Sequence, residues 1–205
     1  NMLLLDNFIA VAVYQNIEPV IVITKTDIED CSRIVSIYEK TGISIYTIDY
    51  NSDNPAEKIR VLLKDKISAF TGNSGVGKST LLNEVCGDFN IPTGEISKKL
   101  GRGKHTTRHA ELYKLPWGGY IADTPGFSTF ETNKYKIIRK EDLADCFREF
   151  RQYEGDCRFR DCSHTTEKGC RIIEAVENGE IPQSRHESYC SMYDEAKQIR
   201  EWELK

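Results

Sequence analysis

Gly72-Asn73-Ser74-Gly75-Val76-Gly77-Lys78-Ser79 fits the spacing G-x-x-x-x-G-K-[ST] at every fixed position. The glycines let backbone N–H groups turn inward around phosphate oxygens, and a helix opening at Lys78 adds its positive end. Lys78 is expected to reach the β- and γ-phosphates and the Ser79 hydroxyl to bind Mg²⁺. A flexible glycine turn is the plainer reading, but the apolar run Ile67 to Phe70 before the loop and the helical pattern Lys78 to Cys86 after it favour a phosphate site.

Thr24-Lys25-Thr26-Asp27 has the form [NT]-K-x-D. A carboxylate at Asp27 can accept from guanine N1–H and from the N2 amine, whereas adenine has no donor on that edge. Each lost hydrogen bond to a buried charge costs about 1.5–3 kcal/mol, so the residue discriminates bases. Lys25 can lay its alkyl stem over the base plane. Alone the pattern could be a solvated strand end; a phosphate loop in the same chain argues for a base reader. Asp123-Thr124-Pro125-Gly126 adds D-x-x-G after an apolar strand, with Asp123 expected to hold Mg²⁺ through water and the Gly126 N–H to sense the γ-phosphate.

A second chemistry lies further on. Cys157-x₄-Cys162-x-His164-x₅-Cys170 supplies three sulfurs and an imidazole, a closed structural zinc set that leaves no open catalytic position. A rival set exchanges one member for His186 or Cys190, four residues apart on one helix face. Seven cysteines, three of them crowded together, point to metal rather than to a secreted disulfide framework.

These residues need an α/β scaffold. Short β-branched runs at Pro19–Ile23, Ile43–Ile48 and Ile67–Phe70, with Glu111–Leu115 and Tyr120–Ala122, alternate with helical patterns near the start, at Ile28–Lys40, Ala56–Leu63 and Lys78–Cys86. The first run reads as a strand buried on both faces, and the set as a parallel or mostly parallel sheet. Charged helical sequence takes over after about residue 135. The chain of 205 residues is 39% hydrophobic and 29% charged with net charge −4, so it is neither disordered nor basic throughout, and nucleic-acid contact must come from local patches. No apolar run reaches a membrane span and no signal peptide is evident, which leads us to expect a cytoplasmic protein without membrane contact.

The base reader precedes the phosphate loop, the reverse of the ordinary GTPase order, so the chain reads as circularly permuted. At this point it resembles the RsgA (YjeQ) family of small ribosomal subunit-dependent, circularly permuted GTPases. The resemblance rests on Leu4-Leu5-Asp6, Ile17 to Val22, Thr24 to Asp27, Gly72 to Thr80, Gly101 to Arg108, Asp123 to Phe127 and the cysteine cluster. It implies a permuted α/β GTPase domain over 1–138 and a small, mainly helical zinc module over 139–205. Family members carry an oligonucleotide-binding β-barrel and a first strand ahead of this point, so a fragment is expected.

The implied activity is Mg²⁺-dependent hydrolysis of GTP to GDP and phosphate, stimulated by the small (30S) subunit late in its maturation, by a monomer. Thr80 joins the nucleotide contacts. The segment 98–109, with five basic residues, two histidines and no acid, becomes a nucleotide-ordered switch rather than a plain solvated loop. One of Thr106 and Thr107, with Thr107 favoured, would bind Mg²⁺, and Arg102, Lys104 and Arg108 could meet rRNA phosphates or the nucleotide. Phe127 stands where many GTPases orient water with glutamine, so His105 is the candidate for that task; otherwise it is a surface histidine in a basic loop. Arg158, Phe159, Arg160, Lys168 and Arg171 around the metal loop could dock on rRNA. The family often has Ser-Ala behind the guanine, where Asp49-Tyr50 stands here, so no side-chain contact is assigned to that loop. Two other classes remain open. A zinc-stabilised RNA-binding module would use nucleotide as a structural ligand, and an ATPase or kinase would use the same phosphate loop.

Overall fold

The structure, a computed structural model, describes residues 2–51, 54–73, 75–86, 111–123 and 138–199. These fall into two compact units.

The first unit draws on the described residues within 1–22, 30–46 and 132–205. Helix α1 (Met2–Tyr14) forms where apolar residues at helical spacing predict a helix, but it buries Asp6 and Ile9 to Ala12, while Leu4, Leu5, Phe8 and Val13 are only partly buried. It ends in a Schellman motif. Asn16 is left-handed at φ 58, Ile17 N–H donates to Ala12 O at 2.8 Å, and Asn16 N–H donates to Val13 O at 3.0 Å. Its Ala10 and Val11 share one core with Leu143, Phe147, Phe150, Cys170, Ile172, Tyr189 and Met192. Those residues come from two 3₁₀ turns (Ala144–Cys146 and Arg148–Tyr153) and from two helices, α5 (Arg171–Glu177) and α6 (Gln183–Gln198). Helix α2 (Ser32–Glu39) is shorter than the expected Ile28–Lys40. Ile28 is 75% exposed in a turn closed by its N–H to Lys25 O, and Asp30 accepts from Ser32 N–H at 2.9 Å just where the helix begins.

The second unit draws on residues 23–29 and the described residues within 47–131. Strands β3 (Ile67–Ala69), β4 (Glu111–Lys114) and β5 (Tyr120–Asp123) form a sheet in the order β3-β5-β4. β3 and β5 are parallel, with Ala69 opposite Ala122; β4 and β5 are antiparallel, with Glu111 opposite Asp123. The β4–β5 turn needs glycine. Gly119 has φ 87, and a Cβ there would stand 2.5 Å from Lys66 O. Helix α3 (Pro55–Leu63) is capped by Asn54, whose side chain accepts from Glu57 N–H at 3.2 Å, and it packs against α4 (Lys78–Cys86).

Strands β1 (Val20–Thr24) and β2 (Ser44–Ile48) pair in a separate two-stranded sheet, contributing their ends from Ile23 and Thr47 onward to the second unit. β1 is not buried on both faces as its composition suggests, because Val20 is 41% exposed. A β-branched run signals strand, but whether both faces are covered depends on neighbours distant in sequence.

Candidate functional site

The parallel pairing of β3 and β5 brings two separated motifs to one sheet edge. Beyond Ala69 the chain runs through Phe70 and Thr71 into the glycine loop, and beyond Ala122, its partner in register, comes Asp123. The phosphate loop and the start of D-x-x-G therefore leave the sheet side by side, at the carboxyl ends of parallel strands where α/β folds place ligands.

Lys78, the first residue of α4, folds back over its own loop. Its Nζ donates to Gly72 O at 2.5 Å and to Asn73 O at 2.9 Å. Partial desolvation pulls its pKa below the ordinary lysine value. Both of these acceptors are neutral carbonyls, so an anionic polyphosphate beside this ammonium would relieve the desolvation. Gly77 is held at φ 91, with a Cβ there meeting Tyr50 Oη at 3.5 Å and Thr24 Oγ1 at 3.7 Å. A side chain would be strained by its φ and would crowd the loop against both neighbours.

The base-reading element is laced to the phosphate loop. Thr24 Oγ1 donates to Val76 O at 2.7 Å, and Lys25 Nζ donates to Gly75 O at 3.0 Å. Lys25 has φ 60, unusual for a residue with a side chain, and it turns the chain sharply after β1. Asp27 is exposed two residues later. The loop after β2 contributes side chains that residue typing alone missed. Asn51 Nδ2 donates to Asp27 Oδ2 at 3.2 Å, and Tyr50 puts its hydroxyl beside Gly77. That hydroxyl is buried without a hydrogen-bond partner among the described residues, and burial, then Glu84, raises its pKa. Departure from Ser-Ala at Asp49-Tyr50 was the one signal that this turn is built differently.

The structure thus brings Thr24, Lys25, Asp27, Gly72, Asn73, Gly75, Val76, Gly77 and Lys78 into one unit with the backbone of Ser79 and Asp123; Thr80 is exposed on α4. Ser74, His105, Thr106, Thr107 and Gly126 lie outside the described residues, as do the side chains of Ser79 and Asp123.

The cysteine cluster assembles in the first unit. One ligand atom from each of Cys157, Cys162, His164 and Cys170 lies within 4.8 Å of the others. Cys157 Sγ is 3.6 Å from His164 Nδ1, His164 Nδ1 is 3.4 Å from Cys170 Sγ, and the two sulfurs are 3.9 Å apart. Tetrahedral zinc with Zn–S of about 2.3 Å and Zn–N of about 2.05 Å requires S–S edges near 3.8 Å and S–N edges near 3.6 Å. The residues fit the metal, and 3.9 Å is far too long for a disulfide. Burial pushes the Cys162 thiol up to about 12 and lowers the His164 pKa, so the pocket keeps the imidazole neutral, as a ligand must be, and opposes the thiolate unless a cation compensates.

His186 and Cys190 stand outside this set. His186 Nε2–H donates to the carbonyl of His164 at 2.7 Å, and Cys190 Sγ lies 3.7 Å from that nitrogen. The imidazole braces the ligand's backbone, which is left-handed at φ 57. Tyr189 Oη donates to Ser163 O at 2.9 Å, from the same helix.

Glu167 closes the turn from inside. Its carboxylate accepts from Ser163 N–H at 2.8 Å, from Thr165 and Thr166 N–H at 3.1 Å each, and from the Ser163 hydroxyl. Partial burial opposes ionisation, yet these donors outweigh it and hold the carboxyl down at about 2. Because the folded pKa is depressed, the stabilisation is complete above the ordinary value of 4.5 and fades as pH falls toward 2. Glu167→Gln is expected to cost about 1.5–3 kcal/mol at neutral pH, read as a lower urea midpoint, with the gap to wild type closing only in strong acid. An unchanged midpoint at pH 7 would show that the donors are satisfied by water instead.

The model of the RsgA GTPase family matches residues 1–133. The chain belongs to the RsgA GTPase family. Two curated relatives, each named small ribosomal subunit biogenesis GTPase RsgA, come from Caldanaerobacter subterraneus subsp. tengcongensis and Alkaliphilus metalliredigens. Both are 42% identical, over 97% of this chain and 67% and 68% of their own lengths. YjeQ from Thermotoga maritima superposes with TM-score 0.75 at 34% identity, over 98% of this chain and 67% of its own. YloQ, described as a circularly permuted GTPase, gives TM-score 0.75 at 31% identity, over 98% of this chain and 64% of its own. This RsgA-family chain thus has the permuted GTPase fold, with Thr24–Asp27 ahead of the phosphate loop, and spans about two thirds of its relatives. Among the described residues no helix is long and apolar enough to cross a membrane.

Proposed function

We propose that this chain binds GTP and hydrolyses its terminal acid anhydride to give GDP and phosphate, and that the small ribosomal subunit stimulates the reaction during late maturation. The convergence of the Thr24–Lys25 pair, the phosphate loop and the end of β5 in one unit carries the reading. Family membership supports it, together with the relatives' name. In this proposal Lys78 and the loop amides from Gly72 to Thr80 hold the phosphates, and Asp27 reads guanine. Ser79, Thr107 and Asp123 serve Mg²⁺, Gly126 senses the γ-phosphate, and His105 orients the attacking water. Mg²⁺ would neutralise charge on the phosphate oxygens. Residues 1–138 act as the GTPase domain and 139–205 as a zinc module offering cationic surface to rRNA, in a cytoplasmic monomer.

The test is GTP turnover by this chain with and without purified small subunits. Stimulation is expected, and Lys78→Ala is expected to lower turnover about a hundredfold or more, since one electrostatic donor to the reacting group is commonly worth that much. RNA binding that persists in Lys78→Ala and needs no nucleotide would favour an RNA-binding module instead. ATP competing equally with labelled GTP would refute the guanine assignment.

A further inference from the structure

We propose that Asn51 sets base specificity by positioning Asp27. Its side-chain amide holds the carboxylate in the orientation that reads the two guanine donors, and the inference rests on the guanine reading above. Three observations carry it. The Asn51 Nδ2–Asp27 Oδ2 bond of 3.2 Å joins residues 24 apart in sequence. A carboxylate facing it only accepts, so the amide must present its NH₂. Asn51 is itself fixed, because its N–H donates to Asp49 Oδ1 at 2.8 Å in an Asx turn. And the two turns are tied together where Thr26 N–H meets Ile48 O at 3.4 Å, just before Asp49.

An exposed aspartate otherwise samples about three χ1 wells, only one of which faces a given ligand edge. Holding that well in advance gains about threefold in affinity, since less freedom is lost on binding. The constraint matters more for a ligand that needs both carboxylate oxygens than for one that needs a single oxygen. Oδ2 keeps a free lone-pair direction beside Asn51, so the amide and a base donor can share it. Asn51 is thus a positioning residue, and the residue that touches the base is Asp27.

The experiment measures dissociation constants of GDP, IDP and ADP by competition against a fluorescent guanine nucleotide. IDP lacks the N2 amine and can give Asp27 one hydrogen bond rather than two. Asn51→Ala is expected to weaken GDP about threefold, weaken IDP less, and leave ADP unchanged, so the preference for GDP over IDP narrows. Asn51→Asp keeps the shape but turns a second carboxylate toward Asp27, and is expected to weaken GDP more than Asn51→Ala does. A general loosening of the loop would weaken all three nucleotides alike and leave the ratio unmoved. That result, or GDP binding at wild-type strength in both variants while Asp27→Ala binds weakly, overturns the role of Asn51. If Asp27→Ala binds GDP as tightly as wild type, the guanine reading fails first and takes the proposal with it.

Discussion

Replacing Arg185 with methionine is expected to destabilise the first unit by about 3–5 kcal/mol, the cost of leaving a buried charge without its partner. Arg185 is fully buried on α6. Its Nη1 donates to Asp6 Oδ1 at 2.5 Å and its Nε to Glu149 Oε1 at 2.7 Å, with both acceptor side chains fully buried. The guanidinium also lies 4.6 Å over the Phe147 ring, and Tyr38 Oη donates to Asp6 Oδ1 at 2.7 Å. One cation thus serves two carboxylates from α1 and from the second 3₁₀ turn. Domains of this size hold only about 5–15 kcal/mol in total, so the loss removes much of the margin.

The control separates pairing from burial. Arg185→Lys is expected to rescue little, because a single ammonium cannot reproduce a fork spanning two acids. The triple change Asp6→Leu, Glu149→Leu, Arg185→Met is expected to recover most of the loss, since apolar replacement of a buried ionic group is often neutral or better. Urea unfolding followed by circular dichroism reads all three. A loss below about 1 kcal/mol for Arg185→Met would mean that water reaches the cluster and screens it.

Nothing in the linear sequence marks that triad. Asp6 and Arg185 are 179 residues apart, and an isolated arginine in a polar helix reads as a solvated face. Helix α1 was legible as a helix because its apolar residues recur at helical spacing, but periodicity identifies a stripe without naming what covers it. Its partner proved to be the core built on Phe147, Phe150 and Tyr189. Helix α4 starts at Lys78 as its sequence indicates, because the glycine loop and Lys78 fix that end. Helix α2 was read too long, because the turn at Thr26–Glu29 and the Asp30 bond to Ser32 are local chemistry that overrides an apolar residue at position 28.

The sites divide the same way. Fixed-spacing motifs were legible because phosphate and metal impose distances that a short segment satisfies by itself. Asn51 was not, because its role exists only once β1 and β2 lie together. His186 serves the metal turn in a way its spacing does not indicate. Its spacing from Cys190 suggests ligation, whereas its Nε2–H is spent on the carbonyl of His164.

Removing zinc is expected to unfold the turn between Cys157 and Cys170 and loosen the core of the first unit. Structural zinc contributes about 10–16 kcal/mol to folding of small metal modules, comparable with the whole stability of a domain. Cys170 is 1% exposed and sits in that core, so the four candidate metal ligands and the apolar cluster share a residue. One zinc per chain is expected by elemental analysis. Cys170→Ser is expected to lose it together with near-ultraviolet circular dichroism from Tyr189 and its neighbours. Cys190→Ser is expected to retain full zinc, because Cys190 lies outside the four converging ligand atoms. His186→Ala is expected to keep the metal but bind it about 10–100-fold more weakly, the usual effect of removing a group that orients a ligand. Equal zinc loss in Cys190→Ser and Cys170→Ser would move the ligand set onto α6. Full zinc retention in Cys170→Ser would remove that sulfur from the set altogether. The pattern expected here, lost, kept and weakened in turn, follows only if three sulfurs and the His164 Nδ1 hold the ion while His186 holds His164.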